Sequence, residues 1–370
     1  MEIGSFYEID SQIISGALPR CDGFCLDGVE RYGKRNTVFT ASAREAVRLA
    51  LKSMGGRRSN AKRRCLMPAY MCDSVFLPFF LEGWELVFYH LDRNLKPDFE
   101  EFAQQTERVR PELIFIHSYY GADTWKDARG LLAKWRRTGI KVMEDVTQSY
   151  YLSSAGQEAD YIIGSLRKWY AIPDGAFVAA DGPLRCGCIS ESDAFASEKL
   201  EVMQEKWKYL NEGGQNKDNK AKFLQKNRRL EEELDAVGEI RKMSLASEIL
   251  LSRTEEAKAQ RKRRENAEFL KNRIFEDSGI SFAPSGGAPL YLPVYAKDRD
   301  QVQAFLAQRG IYAPTLWPVG AANREFLNED EKYIYSRILA LPVDFRYGGQ
   351  EMRYIADTLN QWRDQNWNRS

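Results

Sequence analysis

From Asn36 to Ala180 the chain alternates short apolar runs with stretches of helical periodicity, which restricts the available folds more than any other feature. Val38-Phe39 leads into ASAREAVRLALKSM, whose Ala43, Ala46, Val47, Leu49, Ala50 and Leu51 fall mainly on one helical face. Cys65-Leu66-Met67 reads as a strand stopped by Pro68, Asp73 to Leu81 as a helix, and Glu85 to Tyr89 as a strand. An acidic helix around Asp98 to Gln105 precedes PELIFIH, a strand ending at His117. WKDARGLLAKWRRTG is an amphipathic helix closed by Gly139, and IKVMEDV is a further strand. Tyr161-Ile162-Ile163 and Ala176-Phe177-Val178-Ala179 look like two more buried strands. Strands alternating with helices of this length imply βαβ units and a mostly parallel sheet. In such sheets ligands collect at the carboxyl ends of strands, so the residues after Phe39, Met143 and Gly164 are where chemistry is expected.

Beyond this region, Glu191 to Ile274 is charge-rich and helical, with EGGQNKDNKAK expected as an interrupting loop. The basic run Arg261-Lys262-Arg263-Arg264 is flanked by Glu255, Glu256, Glu265 and Glu268, the pattern of a solvated, ion-paired helix face. From Ile280 a second, smaller α/β unit follows. LYLPVYA and IYAPTLW read as strands, RDQVQAFLAQRG as a helix ending in Gly310, and ILALPVDFRYG leads into a helix from Gln350 to Trp362. The 370 residues suit one large domain with a smaller partner. We expect the larger over 1–240, with an N-terminal arm over about 1–35, and the smaller with a connecting helix over 241–370.

The 54 basic and 53 acidic residues leave a net charge of +1, which gives no global field for nucleic acid or an anionic membrane. Met1 to Gly16 lacks a basic-then-apolar signal pattern, and Val75 to Leu81 is too short to span a bilayer. Six cysteines (Cys21, Cys25, Cys65, Cys72, Cys186, Cys188) are sparse for this length and suggest a reducing cytoplasm. With only His90 and His117 as imidazoles, a metal site is not expected.

MEDVTQS places Glu144 and Asp145 at a strand end, where a carboxylate is more often a solvated cap than a working group. Asp145 gains weight from the next strand, Asp160 to Gly164, which ends beside Lys168 in SLRKWY. An Asp and a Lys at neighbouring strand ends are what pyridoxal phosphate chemistry requires. The lysine amine forms a Schiff base with the cofactor aldehyde, and the aspartate pairs with the protonated pyridine nitrogen. Desolvation by Trp169 and Tyr170 and repulsion from Arg167 would keep the amine partly neutral. A surface lysine is the commoner fate of this residue type. FTASAREA puts Thr40, Ala41, Ser42 and Ala43 before a helix, whose free N–H groups and dipole suit a phosphate, although an ordinary N-cap looks the same. No Walker or Rossmann glycine fingerprint is present.

These motifs, in this order from Asn36 to Trp362, resemble those of the DegT-like sugar aminotransferases, fold-type I pyridoxal-phosphate enzymes. TASAREAVRLAL resembles the family's S-G-T-x-A-L helix start, LMPAYMCDSV its V-P-x-x-T-F segment, and FIHSYYGAD its V-H-L-Y-G strand end. MEDVTQS is similar to E-D-x-A-Q-A, and SLRKW to the S-x-x-x-K lysine loop, one residue shorter. GEIRKMSLASEIL resembles G-x-N-Y-R-M-S. The resemblance implies an α/β fold with a mostly parallel sheet covered by helices in the large domain and a smaller C-terminal α/β domain.

It further implies that Lys168 holds the Schiff base and shuttles the proton, that Asp145 binds the pyridine nitrogen, and that Gln148 lies by the ring hydroxyl. Ser42, the Ala43 N–H and Ser165 would hold the phosphate, and His117 and Tyr120 would lie near the substrate. Cys72 stands where the family stacks an aromatic ring on the cofactor, with Tyr70 as the alternative ring. Ile240 replaces the asparagine that reaches the partner subunit's phosphate, which leaves Arg241 or Lys242 for that contact. Arg346, in LPVDFRYG, is the expected grip on the donor carboxylate. The expectation is a cytoplasmic homodimer with shared active sites. It would move an amino group from an amino acid, glutamate being the expected donor, to a keto-sugar or other carbonyl acceptor. A lyase or decarboxylase on the same cofactor, or a catalytically silent binding protein, are the alternatives.

Overall fold

The computed structural model describes residues 2–10, 27–55, 62–185, 190–214, 216–236, 238–277 and 279–366. Cys21, Cys25, Cys186, Cys188 and the arm residues 11–26 lie outside them. Seven strands form the main sheet: β2 (Asn36–Thr40), β3 (Arg63–Pro68), β4 (Trp84–Tyr89), β5 (Leu113–His117), β6 (Lys141–Asp145), β7 (Tyr161–Ser165) and β8 (Ala176–Ala180). A two-residue β1 (Ile3–Gly4) lies elsewhere, as described below. The order across the sheet is β2-β8-β7-β6-β5-β3-β4. Strands β4, β3, β5, β6 and β7 are mutually parallel, and β8 alone runs against its neighbours β7 and β2. The reversal follows from the connection. Leu166–Gly175 holds a single 3-10 turn and is too short for the crossover that a parallel pair needs.

Strands β5, β7 and β8 are buried along their whole length, as expected where helices cover both faces. The Ala43–Ser53 helix packs Ala46, Val47, Leu49, Ala50 and Leu51 inward. It starts with a capping box: Ser42 accepts from the Glu45 N–H, and Glu45 accepts from the Ser42 N–H at 2.8 Å. Asp98 caps the Phe99–Val109 helix by accepting from the N–H groups of Glu100 and Glu101. The amphipathic segment before β6 begins with a 3-10 turn, Lys126–Ala128, and becomes α-helical only over Arg129–Arg137.

Two long helices, Asp193–Asn211 and Lys217–Asp235, form an antiparallel hairpin. The loop expected through Lys222 is shorter than the polar sequence suggests. Asn216 caps the second helix, accepting from the Asn219 N–H at 3.1 Å, so Lys217 to Lys222 is already helical.

The smaller sheet has the order β12-β10-β9 (β9 Ile280–Phe282, β10 Tyr291–Ala296, β12 Ile338–Pro342) and is antiparallel. IYAPTLW yields only β11 (Ile311–Tyr312), which pairs in parallel with β1. Pro314, just beyond it, has no N–H to offer a ladder. Leu292, Val294, Leu306, Leu339, Leu341, Ile355 and Leu359 make the core of this unit, with Leu270 from the Glu256–Lys271 helix. On that helix Arg261 and Lys262 pair with Glu265 at 4.0 and 3.7 Å, as a solvated face would. Arg263 departs from the pattern and is wholly buried. No helix among the described residues is long and apolar enough to cross a membrane.

Candidate active site

Strands β2, β3, β5, β6 and β7 run the same way, so Thr40, Pro68, His117, Asp145 and Ser165 all end at one edge. A narrow cavity of about 70 Å³ opens there, and Ser42, Ala43, Cys72, His117, Asp145, Ser165 and Lys168 line it. Sequence reasoning had proposed all seven from separate motifs, and the topology brings them together.

Asp145 is nearly buried, and the Thr147 N–H donates to its Oδ1 at 2.8 Å. His117 Nδ1 stands 3.5 Å from Oδ2, long for a hydrogen bond but close for charge. Burial alone would raise the Asp145 carboxyl, yet His117 and Thr147 outweigh it and hold the group below its ordinary 3.8. Both ring nitrogens of the buried His117 lack a hydrogen-bond partner among the described residues.

Lys168 is exposed to solvent and lines the cavity. Burial, together with the charges of Arg167 and Arg44, pushes its amine below the ordinary 10.5, against the pull of Cys72 and Asp145. The lysine loop is held from two sides. The N–H groups of Leu166 and Arg167 donate to the Gly175 carbonyl at 3.0 and 3.2 Å, and the Gly175 N–H donates to the Ala41 carbonyl at 2.8 Å. Gly175 has φ +132°, and a Cβ there would fall 2.8 Å from Met243 Sδ, so only glycine fits. Buried Asp174 beside it accepts from the hydroxyls of Ser192 and Ser244 at 2.6 Å each. From below, Arg263 donates to Tyr7 Oη at 2.7 Å and to the Trp169 carbonyl at 3.3 Å, and Tyr7 donates to that carbonyl at 3.0 Å. This explains the burial of Arg263. Trp169 and Tyr170 pack beneath the loop, with Trp169 Nε1 donating to the Thr147 carbonyl at 2.8 Å, and do not line the cavity.

Other expected residues go elsewhere. Tyr70 is wholly buried among Tyr119, Trp317 and Tyr335 and does not line the cavity. Apolar packing against three rings takes its face, so it is not the substitute for an aromatic at Cys72. Gln148 spends its carbonyl on the Tyr120 N–H at 2.9 Å, and Tyr120, at φ +50°, turns its hydroxyl to 3.5 Å from that of Tyr70. Neither lines the cavity.

Arg346 is not poised for a ligand. Asp344 takes its guanidinium at 2.8 and 3.0 Å and Glu8 at 2.7 Å, and it stacks over Tyr7. Arg241 donates to Glu45 Oε1 at 2.8 Å, and its carbonyl accepts from the Ala41 N–H at 2.9 Å. Lys242 donates its N–H to the Ser190 carbonyl at 2.8 Å. This pair therefore runs beside the helix start of its own chain.

Among the residues of the cavity wall that sequence reasoning missed are Arg44, Thr147 and Trp317. Trp317 is the aromatic ring actually present, and it follows Leu316, which is held at φ +58°. The available signal was an aromatic between Pro314 and Pro318 in a segment with no periodicity. Across Arg167 and Lys168 lies a second cavity of about 650 Å³, walled by the N-terminal segment, the helical hairpin and the smaller unit.

No protein-family model matches the chain, and no curated protein matches its sequence. Solved structures match its fold. Helicobacter pylori PseC, an aminotransferase involved in the biosynthesis of pseudoaminic acid, has a TM-score of 0.65 at 14% identity, covering 98% of this chain and 99% of that one. The sugar aminotransferase CalS13 from Micromonospora echinospora has a TM-score of 0.62 at 15% identity, covering 97% and 99%. NtdA from Bacillus subtilis, with bound cofactor PMP, has a TM-score of 0.62 at 16% identity, covering 89% and 74%.

Proposed function

We propose that this chain, which has the fold of the fold-type I sugar aminotransferases, is itself a pyridoxal-phosphate-dependent aminotransferase. It would take an amino group from an amino acid, glutamate being the expected donor, and pass it to a keto-sugar or other carbonyl acceptor. The observation that carries this reading is the pairing of Lys168 and Asp145 on one cavity, an amine and a carboxyl both shifted below their ordinary values.

The residues present fit the cofactor. His117 nitrogens without a hydrogen-bond partner among the described residues, the side chains of Ser42 and Ser165, and Ala43 at the start of the Ala43–Ser53 helix all meet at this wall. When bound, the cofactor supplies an aldehyde that accepts amines and a pyridine ring that withdraws electrons. Asp145, kept ionised, would hold a proton at the ring nitrogen, and His117 steadies the carboxylate. Lys168, with its amine biased toward the neutral form, would anchor the cofactor and serve as the base that carries the proton at the substrate α-carbon. Ser42, the Ala43 N–H and Ser165 would hold the phosphate, and Arg44 would add positive charge. Cys72 offers no ring, and Trp317 would be the aromatic side chain of this wall to lie against the cofactor. The same reading takes the protein as a cytoplasmic homodimer with shared sites, divided near residue 240 into its larger and smaller domains.

The test is to incubate the protein with pyridoxal phosphate, reduce with borohydride and map the peptides. We expect visible cofactor absorbance and a label on Lys168, with Lys168→Ala losing both together with all amino transfer. A wild-type protein that takes up no cofactor sinks the reading. With an amino-acid panel, conversion of the cofactor to its amine form supports transfer, and keto-acid release without it supports elimination.

A further inference from the structure

We infer that Arg167 and Lys199 form the seat of the amino donor's carboxylate, and that Glu231 fills that seat in the donor's absence. The inference rests on the aminotransferase reading and assigns the donor subsite within it. Three charged side chains meet on the wall of the 650 Å³ cavity. Lys199 Nζ donates to Glu231 Oε1 at 2.5 Å and to Asn227 Oδ1 at 2.6 Å, and Arg167 Nη1 lies 3.0 Å from Glu231 Oε2. Lys199 is 4% exposed. Two basic side chains thus share one carboxylate, and burial and the Arg167 charge push the Lys199 amine down against the pull of Glu231. Asp300, on the same wall, bonds Arg299 instead, at 2.7 Å. A buried charge lacking its full complement of partners favours an anion.

Position identifies the anion. Arg167 directly precedes Lys168, and both residues line both cavities. A small carboxylate held at Arg167 and Lys199 therefore lies beside the amine that must meet the donor's nitrogen. The planar guanidinium fork suits a carboxylate. Arg346, the sequence-based candidate, already holds two carboxylates, Asp344 and Glu8, whereas Arg167 shares the one it has among the described residues with Lys199. Burial would raise the Glu231 carboxyl, but Arg167 and Lys199 bring it down to about 2, so it remains a charged competitor for the seat.

Calorimetric titration with glutarate, a dicarboxylate with no amine to react, tests the assignment. We expect Lys199→Gln and Arg167→Gln to weaken glutarate binding about tenfold, the loss of one charge-assisted contact. Lys199→Arg should restore it. Glu231→Gln should tighten binding, because it removes the competing carboxylate. A merely structural cluster would shift all three neutralising variants the same way. Weaker binding in Glu231→Gln, or unchanged binding in both cation variants, overturns the inference. So does a result in which Arg167→Gln loses its preference for pyridoxal phosphate over pyridoxal with glutarate binding intact, which would assign the arginine to the cofactor phosphate. If the wild type takes up no cofactor, the aminotransferase reading fails, and the glutarate titration of the unloaded protein still decides the anion seat.

Discussion

Glu144 and Asp145 are consecutive residues at the end of β6, and strand geometry sends them to opposite faces of the sheet. Asp145 meets the cavity that Lys168 lines, with Thr147 and His117 holding it ionised. Glu144 points into protein and is wholly buried. Its Oε2 accepts from the Gly156 N–H at 2.8 Å and from Arg129 at 3.2 Å, while Oε1 has no partner among the described residues. Arg129 divides its charge between Glu144 and Asp123, and burial wins: the Glu144 carboxyl lies above its ordinary 4.5. Two acids of the same strand therefore titrate in opposite directions, because one has donors arranged around it and the other shares a single cation.

The largest effect expected from breaking this contrast is on catalysis. Asp145→Asn keeps size and neighbours but removes the charge proposed to face the cofactor's ring nitrogen, and should lower kcat by about 10²–10³-fold. Cofactor uptake on Lys168 should persist. Near-wild-type turnover in this variant would remove Asp145 from the proposed machinery. Glu144→Gln should do the reverse. It leaves Arg129 with Asp123 alone and weakens the tie to Gly156, at a cost of about 1–3 kcal/mol seen in denaturant unfolding. Turnover of the loaded protein should stay near wild type. A variant that loses activity without losing stability would show that both acids act on the site.

How much of this was legible in the sequence depends on whether the signal was local. The strand ends at His117, Asp145 and Ser165 announced themselves through apolar runs that stop at polar residues, and the Ser42 cap through its following helix. Seven proposed site residues reached one cavity for that reason. Arg346 misled because a loop arginine after a strand looks alike whether or not carboxylates wait for it. Those carboxylates, Glu8 and Asp344, include one more than three hundred positions away in the chain. Tyr70 misled because nothing local shows that Tyr119, Trp317 and Tyr335 enclose it. Trp317 was illegible for the converse reason: its role comes from the smaller unit folding back over the sheet edge. The Arg263 contact with Tyr7 is likewise set by the tertiary fold alone.

The smallest expected effect is in the pH dependence of stability, and it separates the two acids by sign. Asp145 has a depressed folded pKa, so its contribution is present above about pH 3.8 and is lost as pH falls through the folded value. The stability gap between wild type and Asp145→Asn should therefore narrow on acidification below that point. Glu144 has a raised folded pKa, so its charge penalises the folded state at neutral pH, and protonation relieves the penalty as pH falls toward 4.5. The gap between wild type and Glu144→Gln should widen over that interval, by at most about 1.4 kcal/mol per pH unit. Urea unfolding of the three proteins between neutral pH and the acid limit of the fold measures both gaps. Gaps that move in the same direction would mean that the two faces of β6 do not differ electrostatically. The working role of Asp145 would then rest on its position at the cavity alone.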